Sequence, residues 1–310
     1  RGGFQQRFPS IDHRSRFYVE NVFEELDSPG EWYLDKTEGK LFYIPGEGVD
    51  LCTAEIVAPI LKQVVELRGS QEEPVRNITL SGFRITHTAS TFLEQYETIS
   101  RGGWVIHRGG AVFIEGAVNC CIKDCFFDAV GGNGVFINNY NRGIKIINNK
   151  FTETGDSAIC VVGSRHLTLG SAENFPAENI ISNNLIHDCG VFGKQIAGVF
   201  CAVSKRNLIS HNLIYNMPRA GICINDGFCG GHIIEYNEIY NTVRETLDHG
   251  PFNSWGIERY WCLLQSHGPV SHEAGDVKLD AMETTIIRNN YFHDDHSWGI
   301  DLDDGSSNYK

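Results

Sequence analysis

From residue 120 onward one short theme recurs: two polar residues, often with an asparagine, then an apolar pair. It reads Lys123-Asp124-Cys125-Phe126, Asn148-Asn149-Lys150-Phe151, Asn183-Asn184-Leu185-Ile186, His211-Asn212-Leu213-Ile214, Tyr236-Asn237-Glu238-Ile239 and Asn289-Asn290-Tyr291-Phe292, at steps of 25, 35, 28, 25 and 53 residues. A second theme follows the first: Gly134-Val135-Phe136-Ile137-Asn138, Ala158-Ile159-Cys160-Val161-Val162, Gly198-Val199-Phe200-Cys201-Ala202, Gly221-Ile222-Cys223-Ile224-Asn225 and Gly299-Ile300-Asp301-Leu302-Asp303. Each is a short strand with two inward apolar residues, led by a small residue at a turn. Helical periodicity is almost absent. Irregular coils of this length, with short strands and asparagine-bearing turns, define an all-β chain folded as a right-handed parallel β-helix. Asparagine suits the turns because it tolerates left-handed backbone and can bond its copy one coil away.

The start differs. Residues 16–45 read as a helical turn, a strand, a tight turn and another strand, with Pro29-Gly30 and Glu38-Gly39 as punctuation. Residues 1–70 are therefore expected to form a β-rich lead-in and residues 71–310 the solenoid, with a loop insertion at about 244–283. The chain stops just after a strand, and solenoids need covered ends, so further C-terminal coils are expected.

The formal net charge of −13 argues against a nucleic-acid partner, because phosphate binding needs a basic surface. Apolar runs are too short for a membrane span. Ten cysteines form no CxxC zinc pairs. Cys160, Cys201 and Cys223 sit in strand-like runs as buried hydrophobes or disulfide partners, and Cys229 and Cys262 are the better candidates for a bridge. With the sequon Asn77-Ile78-Thr79, this favours a secreted, extracellular protein.

The stretches "GEWYLDKTEGKLFYIP", "SGFRITHTASTFLEQYE", "HRGGAVFIEGAVNCCIKDCFFDAVGGNGVF", "PRAGICINDGFCGGHIIEYNEIYNT" and "DHGPFNSWG" together resemble carbohydrate-active β-helix proteins of the pectate-lyase-like superfamily. Within it the chain is most similar to glycoside hydrolases of family one hundred and forty-one, which act on fucosides and xylans. The resemblance implies a carbohydrate substrate and paired acidic residues on the outer face of a parallel sheet.

The residues themselves supply candidates. Aligning the second theme leaves Phe136, Cys160, Phe200, Cys223 and Asp301 outward, then Asn138, Val162, Ala202, Asn225 and Asp303, and at the turn Asp226 and Asp304. Equivalent residues in adjacent coils lie ~4.8 Å apart. Asp226, Asp301, Asp303 and Asp304 are the candidate catalytic carboxyls: glycoside hydrolysis needs one protonated and one ionised, ~5 Å apart for retention or ~6.5–9.5 Å for inversion. The segment "RETLDHGPFNSWGIERYW" adds Asp248, His249, Trp255 and Glu258 as substrate-binding candidates, joined by Arg219 and Asn225; aromatic faces stack on sugar rings. No cofactor is expected; calcium held by the aspartate oxygens is the alternative use of the cluster. It would suit a polysaccharide lyase. A non-catalytic glycan-binding or structural β-helix is the third possibility.

Overall fold

The computed structural model describes residues 19–98, 105–164, 173–225, 229–246, 248–255, 281–295, 297–303 and 305–310. Contacts divide the chain into two units, Gln6–Ala58 and a larger one of Arg1–Gln5 with Pro59–Lys310.

In the smaller unit a 3-10 turn, Phe23–Glu25, precedes an antiparallel hairpin of Trp32–Asp35 with Lys40–Tyr43. Asp35 Oδ1 accepts the amides of Thr37 and Glu38 at 2.8 and 3.1 Å, and Gly39 supplies the positive φ of +65° that closes the turn. Phe23 packs edge-on against Tyr33 and Phe42.

The larger unit is a parallel β-helix of three sheets, each coil giving one strand to each sheet. Inward columns are apolar and in register. Leu80, Ile122, Ile146, Ile181, Ile209, Ile234 and Ile287 line the first sheet. Ile85, Phe127, Phe151, Ile186, Ile214, Ile239 and Phe292 line the second. Val112, Val135, Ile159, Val199, Ile222, Phe252 and Ile300 line the third. Phe127 and Phe151 stack with centroids 4.5 Å apart. Burying each such side chain contributes about 1.5–3 kcal/mol, which drives the coils together.

Register is held at the turn between the first two sheets. There Asn149 donates to Asn184 Oδ1 at 3.1 Å, Asn184 to Asn212 at 2.9 Å, Asn212 to Asn237 at 2.9 Å and Asn237 to Asn290 at 2.9 Å. The preceding residues Asn148, Asn183, His211, Tyr236 and Asn289 all take positive φ, as the asparagine-rich theme requires. Each bond is worth about 1 kcal/mol net, but breaking one strands a buried amide. A second ladder runs from Asn179 to Asn207 at 2.8 Å. In its next coil a buried histidine, His232, takes the asparagine's place and accepts the Asn207 amide on Nδ1 at 3.2 Å.

Two boundaries differ from those expected. Val65–Arg68 already pairs with Val112–Val118 in the third sheet, so the solenoid starts ahead of residue 70. The insertion expected at 244–283 begins with a regular strand: Phe252–Trp255 pairs with Ala220–Asn225 on one side and Ile300–Asp303 on the other. The 53-residue step is thus a single coil whose additional length follows this strand.

Candidate active site on the outer face of the third sheet

Between the inward columns of the third sheet run two outward rows. The first is Phe113, Phe136, Cys160, Phe200, Cys223, Asn253 and Asp301; the second is Glu115, Asn138, Val162, Ala202, Asn225, Trp255 and Asp303. The early members point away from the core yet are buried, because they form a second apolar cluster with Ile106, Ala197, Ala220, Cys223 and Trp255. The outward rows are therefore covered over most of their length and reach solvent only at the far end. Cys160, Cys201 and Cys223 are buried in strands, and burial pushes the Cys160 and Cys201 thiols up, Cys201 to about 12.

At that far end the rows turn polar. Cys223 Sγ lies 3.4 Å from both Asn225 Oδ1 and Asn253 Oδ1, and Asn253 Nδ2 donates to Asp301 Oδ2 at 2.7 Å. Asp303 stands two residues along the same strand, on the same side. The edge leading into the sheet adds a polar triplet. The Arg219 Nη2 atom is 3.1 Å from Asp248 Oδ1 and 3.0 Å from His249 Nε2, while His249 Nδ1 lies 3.0 Å from Asp248 Oδ1. Arg219 and His249 are buried, whereas Asp248 is half-exposed. Gly250 lets this edge close on the last coil: a Cβ there would come within 1.6 Å of the Trp298 carbonyl oxygen.

Opposite forces act on the two carboxyls that flank this face. Hydrogen bonding to His249 and the charge of Arg219 hold Asp248 below the usual carboxylate range. Burial, reinforced by the charge of Asp303, pushes Asp301 up, against the Asn253 hydrogen bond. Asp248 and His249 also act electrostatically on Asp301, and Asp301 and Asp303 act on Arg219, so the groups belong to one field.

The sequence candidates sort as follows. Asp301, Asp303, Asp248, His249, Arg219 and Asn225 come together here. Asn225 is buried, and its Nδ2 has no hydrogen-bond partner among the described residues. Trp255, expected on a loop as an open sugar platform, is instead a strand residue only 8% exposed and packed into the outer apolar cluster. Asp226, Asp304 and Glu258 lie outside the described residues, as does Cys262. The strands they follow are nevertheless placed: that ending at Asn225 and that ending at Asp303 stand two coil steps apart, with Phe252–Trp255 between them. On the second sheet His293 stacks between Tyr240 and Tyr291 at 4.7 and 4.3 Å. Asp294 is a turn residue whose Oδ2 accepts the Thr242 amide at 2.8 Å. Asn253 was missed by sequence reasoning, because Pro251 stands where Gly198 and Gly221 lead the neighbouring strands. Among the described residues no three histidine, cysteine or acidic side chains are grouped to hold a metal ion. No helix among them is long and apolar enough to cross a membrane.

Residues 75–309 match the family model of the right-handed β-helix region, and the chain belongs to that family. Residues 7–46 match a second model, the GH141 insertion domain. Among solved structures, one titled "Glycoside hydrolase" superposes with a TM-score of 0.65 at 22% identity, covering 76% of this chain and 47% of its own. A complex of XylC with xylose gives a TM-score of 0.48 at 15% identity over 75% and 43% of the two chains. The chain thus spans about half the length of the solved structures it matches. No curated protein gives a match.

Proposed function

We propose that the chain is part of an exported glycoside hydrolase whose acid machinery is the far end of the third sheet's outer face. The observation that carries this is the divergence of two carboxyls within one field. Asp248 is held ionised by Arg219 and His249, while Asp301 is held toward its protonated form by burial and by Asp303. Environments that push two carboxyls apart define an acid and a base. In this reading Asp301 protonates the leaving glycosidic oxygen, and Asp248 attacks the anomeric carbon or activates water. Asp303 raises the proton affinity of Asp301, and Arg219 keeps Asp248 charged. Asp226 and Asp304 follow Asn225 and Asp303 in the chain and stay candidates for the second carboxylate. The match of residues 7–46 to an insertion domain of glycoside hydrolases, and the solved relative's title, support the substrate class.

The test is release of new reducing ends from plant, algal and microbial polysaccharides by the wild-type protein and by Asn variants of Asp226, Asp248, Asp301, Asp303 and Asp304. At least one pair should lose turnover by about 10²–10⁴-fold with its fold intact. Full activity in all five variants would sink the assignment. An unsaturated, ultraviolet-absorbing product would reassign the protein as a lyase. Glycan retention without new reducing ends would make it a binding module.

A further inference from the structure

A second polar site lies upstream on the same edge. A small pocket is lined by Tyr96, His107, Asn133, Asp156, Ser157 and Gln195 over an apolar floor that includes Ile106 and Phe200. Asp156 is 4% exposed; its Oδ2 accepts Tyr96 Oη at 3.0 Å and Thr91 Oγ1 at 3.3 Å. The carboxyl fills the place where Gly193 would otherwise carry a side chain, since a Cβ there would come within 2.0 Å of Oδ1. Asp156 Oδ1 and His107 Nδ1 are both buried with no hydrogen-bond partner among the described residues. His107 Nε2 faces Glu94 Oε2 at 3.1 Å, and Glu94 in turn pairs with Lys62.

Such a concentration of buried polar atoms, two of them unsatisfied, costs stability unless something completes it. The pocket has room for about one water-sized group. His107 gives its Nε2–H to Glu94, so a hydroxyl completes both atoms when one further proton sits on Asp156 Oδ1 or His107 Nδ1: it accepts from that group and donates to the other. Its position adds to this. Asp156, Ile196, Arg219 and His249 each stand three residues ahead of the registered positions Ile159, Val199, Ile222 and Phe252. The pocket and Arg219 are therefore two coil steps apart on one edge, about 10 Å along the axis.

We infer that this pocket is a distal subsite that takes one hydroxyl of a neutral glycan chain lying along the solenoid axis. It rests on the carbohydrate reading above but not on the assignment of the acid and base. Buried Asp156 and nearby Glu94 disfavour a sugar carboxylate, so the site selects neutral chains over uronic-acid polymers.

The test uses the turnover-silenced Asp301→Asn protein, titrated calorimetrically with xylohexaose, cellohexaose and mannohexaose and with their disaccharides. At least one hexasaccharide should bind, and Asp156→Ala should weaken it about ten-fold more than the matching disaccharide. His107→Phe, which keeps a ring in place, should do the same and guards against a misfolded Asp156 variant. If no hexasaccharide binds, or if both lengths weaken equally, the subsite is wrong. A liganded structure in which the pocket keeps only an ordered water would also overturn it. Loss of turnover assignments with this binding pattern preserved would instead fault only the acid–base roles.

Discussion

Two rows run one residue apart along the third sheet, and they behave in opposite ways. The inward row from Val112 to Ile300 stays apolar in every coil, whereas the outward row begins with Phe113 and Phe136 and ends with Asn253 and Asp301. The inward row is constrained by both neighbouring coils at once, so any departure leaves a void or a stranded polar group. The outward row answers only to what lies over it. Where the cluster with Ile106 covers it, it is phenyl and thiol; where the cover ends, carboxyls and amides take over. On a solenoid, therefore, chemistry is written in the row that is free to vary, and its location is read from where that row stops being apolar.

The contrast can be broken most sharply by exchanging a carboxyl. Asp301→Asn should reduce turnover by about 10²–10⁴-fold while shifting the urea midpoint little, because Asn keeps the shape and the link to Asn253. One residue inward in register, Phe252→Ala should do the reverse. It should cost about 3–5 kcal/mol in urea unfolding, since this side chain is fully buried between Ile222 and Ile300.

A subtler test uses pH. Burial pushes Asp156 from an ordinary 3.8 to about 6, so the folded state keeps a proton that the unfolded chain has lost. Stability from this group therefore falls by about 3 kcal/mol as pH rises from about 4 to 6. Burial pushes His232 down from 6.5 to about 4, so here the unfolded chain takes the proton first. Stability from this group falls by about 3 kcal/mol as pH drops from about 6.5 to 4. The two slopes oppose each other over nearly the same window. Thermal melts of Asp156→Asn should show an acid-side loss that the wild type masks, and His232→Asn should show greater acid tolerance. Parallel pH profiles for all three proteins would contradict this. The smallest effect expected is at the ladder: Asn212→Ala should cost about 1–3 kcal/mol in urea unfolding, by stranding its neighbours' amides.

Much of the fold was legible because a repeat multiplies each signal. Six copies of the asparagine theme fixed the turn, and the small-residue lead of the second theme fixed the register that pairs Cys160 with Phe200 and Phe200 with Cys223. The coil through Phe252–Trp255 escaped notice for a local reason. Its second inward residue is Ser254, buried and hydrogen-bonded to the Tyr309 hydroxyl at 2.5 Å, so the pair of apolar residues that marks the other strands is absent. Trp255 was misplaced for the same reason. Of the acid face, Asp301 and Asp303 were visible in the alternation of one strand. Their link to Asp248 was not, because it depends on that unrecognised coil. The pocket at Asp156 was beyond reach: Tyr96, His107 and Asp156 come from segments with no shared repeat.

Arg108 has a consequence for how the molecule opens. Its guanidinium donates to Glu97, to Asn138 Oδ1 at 2.6 Å and to the Gly163 carbonyl at 2.8 Å, joining two stacked coils and an overlying segment through one side chain. A solenoid held only by neighbour-to-neighbour contacts frays one turn at a time. A clamp of this kind makes the tied turns exchange their amide hydrogens together, as one cooperative block that includes the walls of the Asp156 pocket.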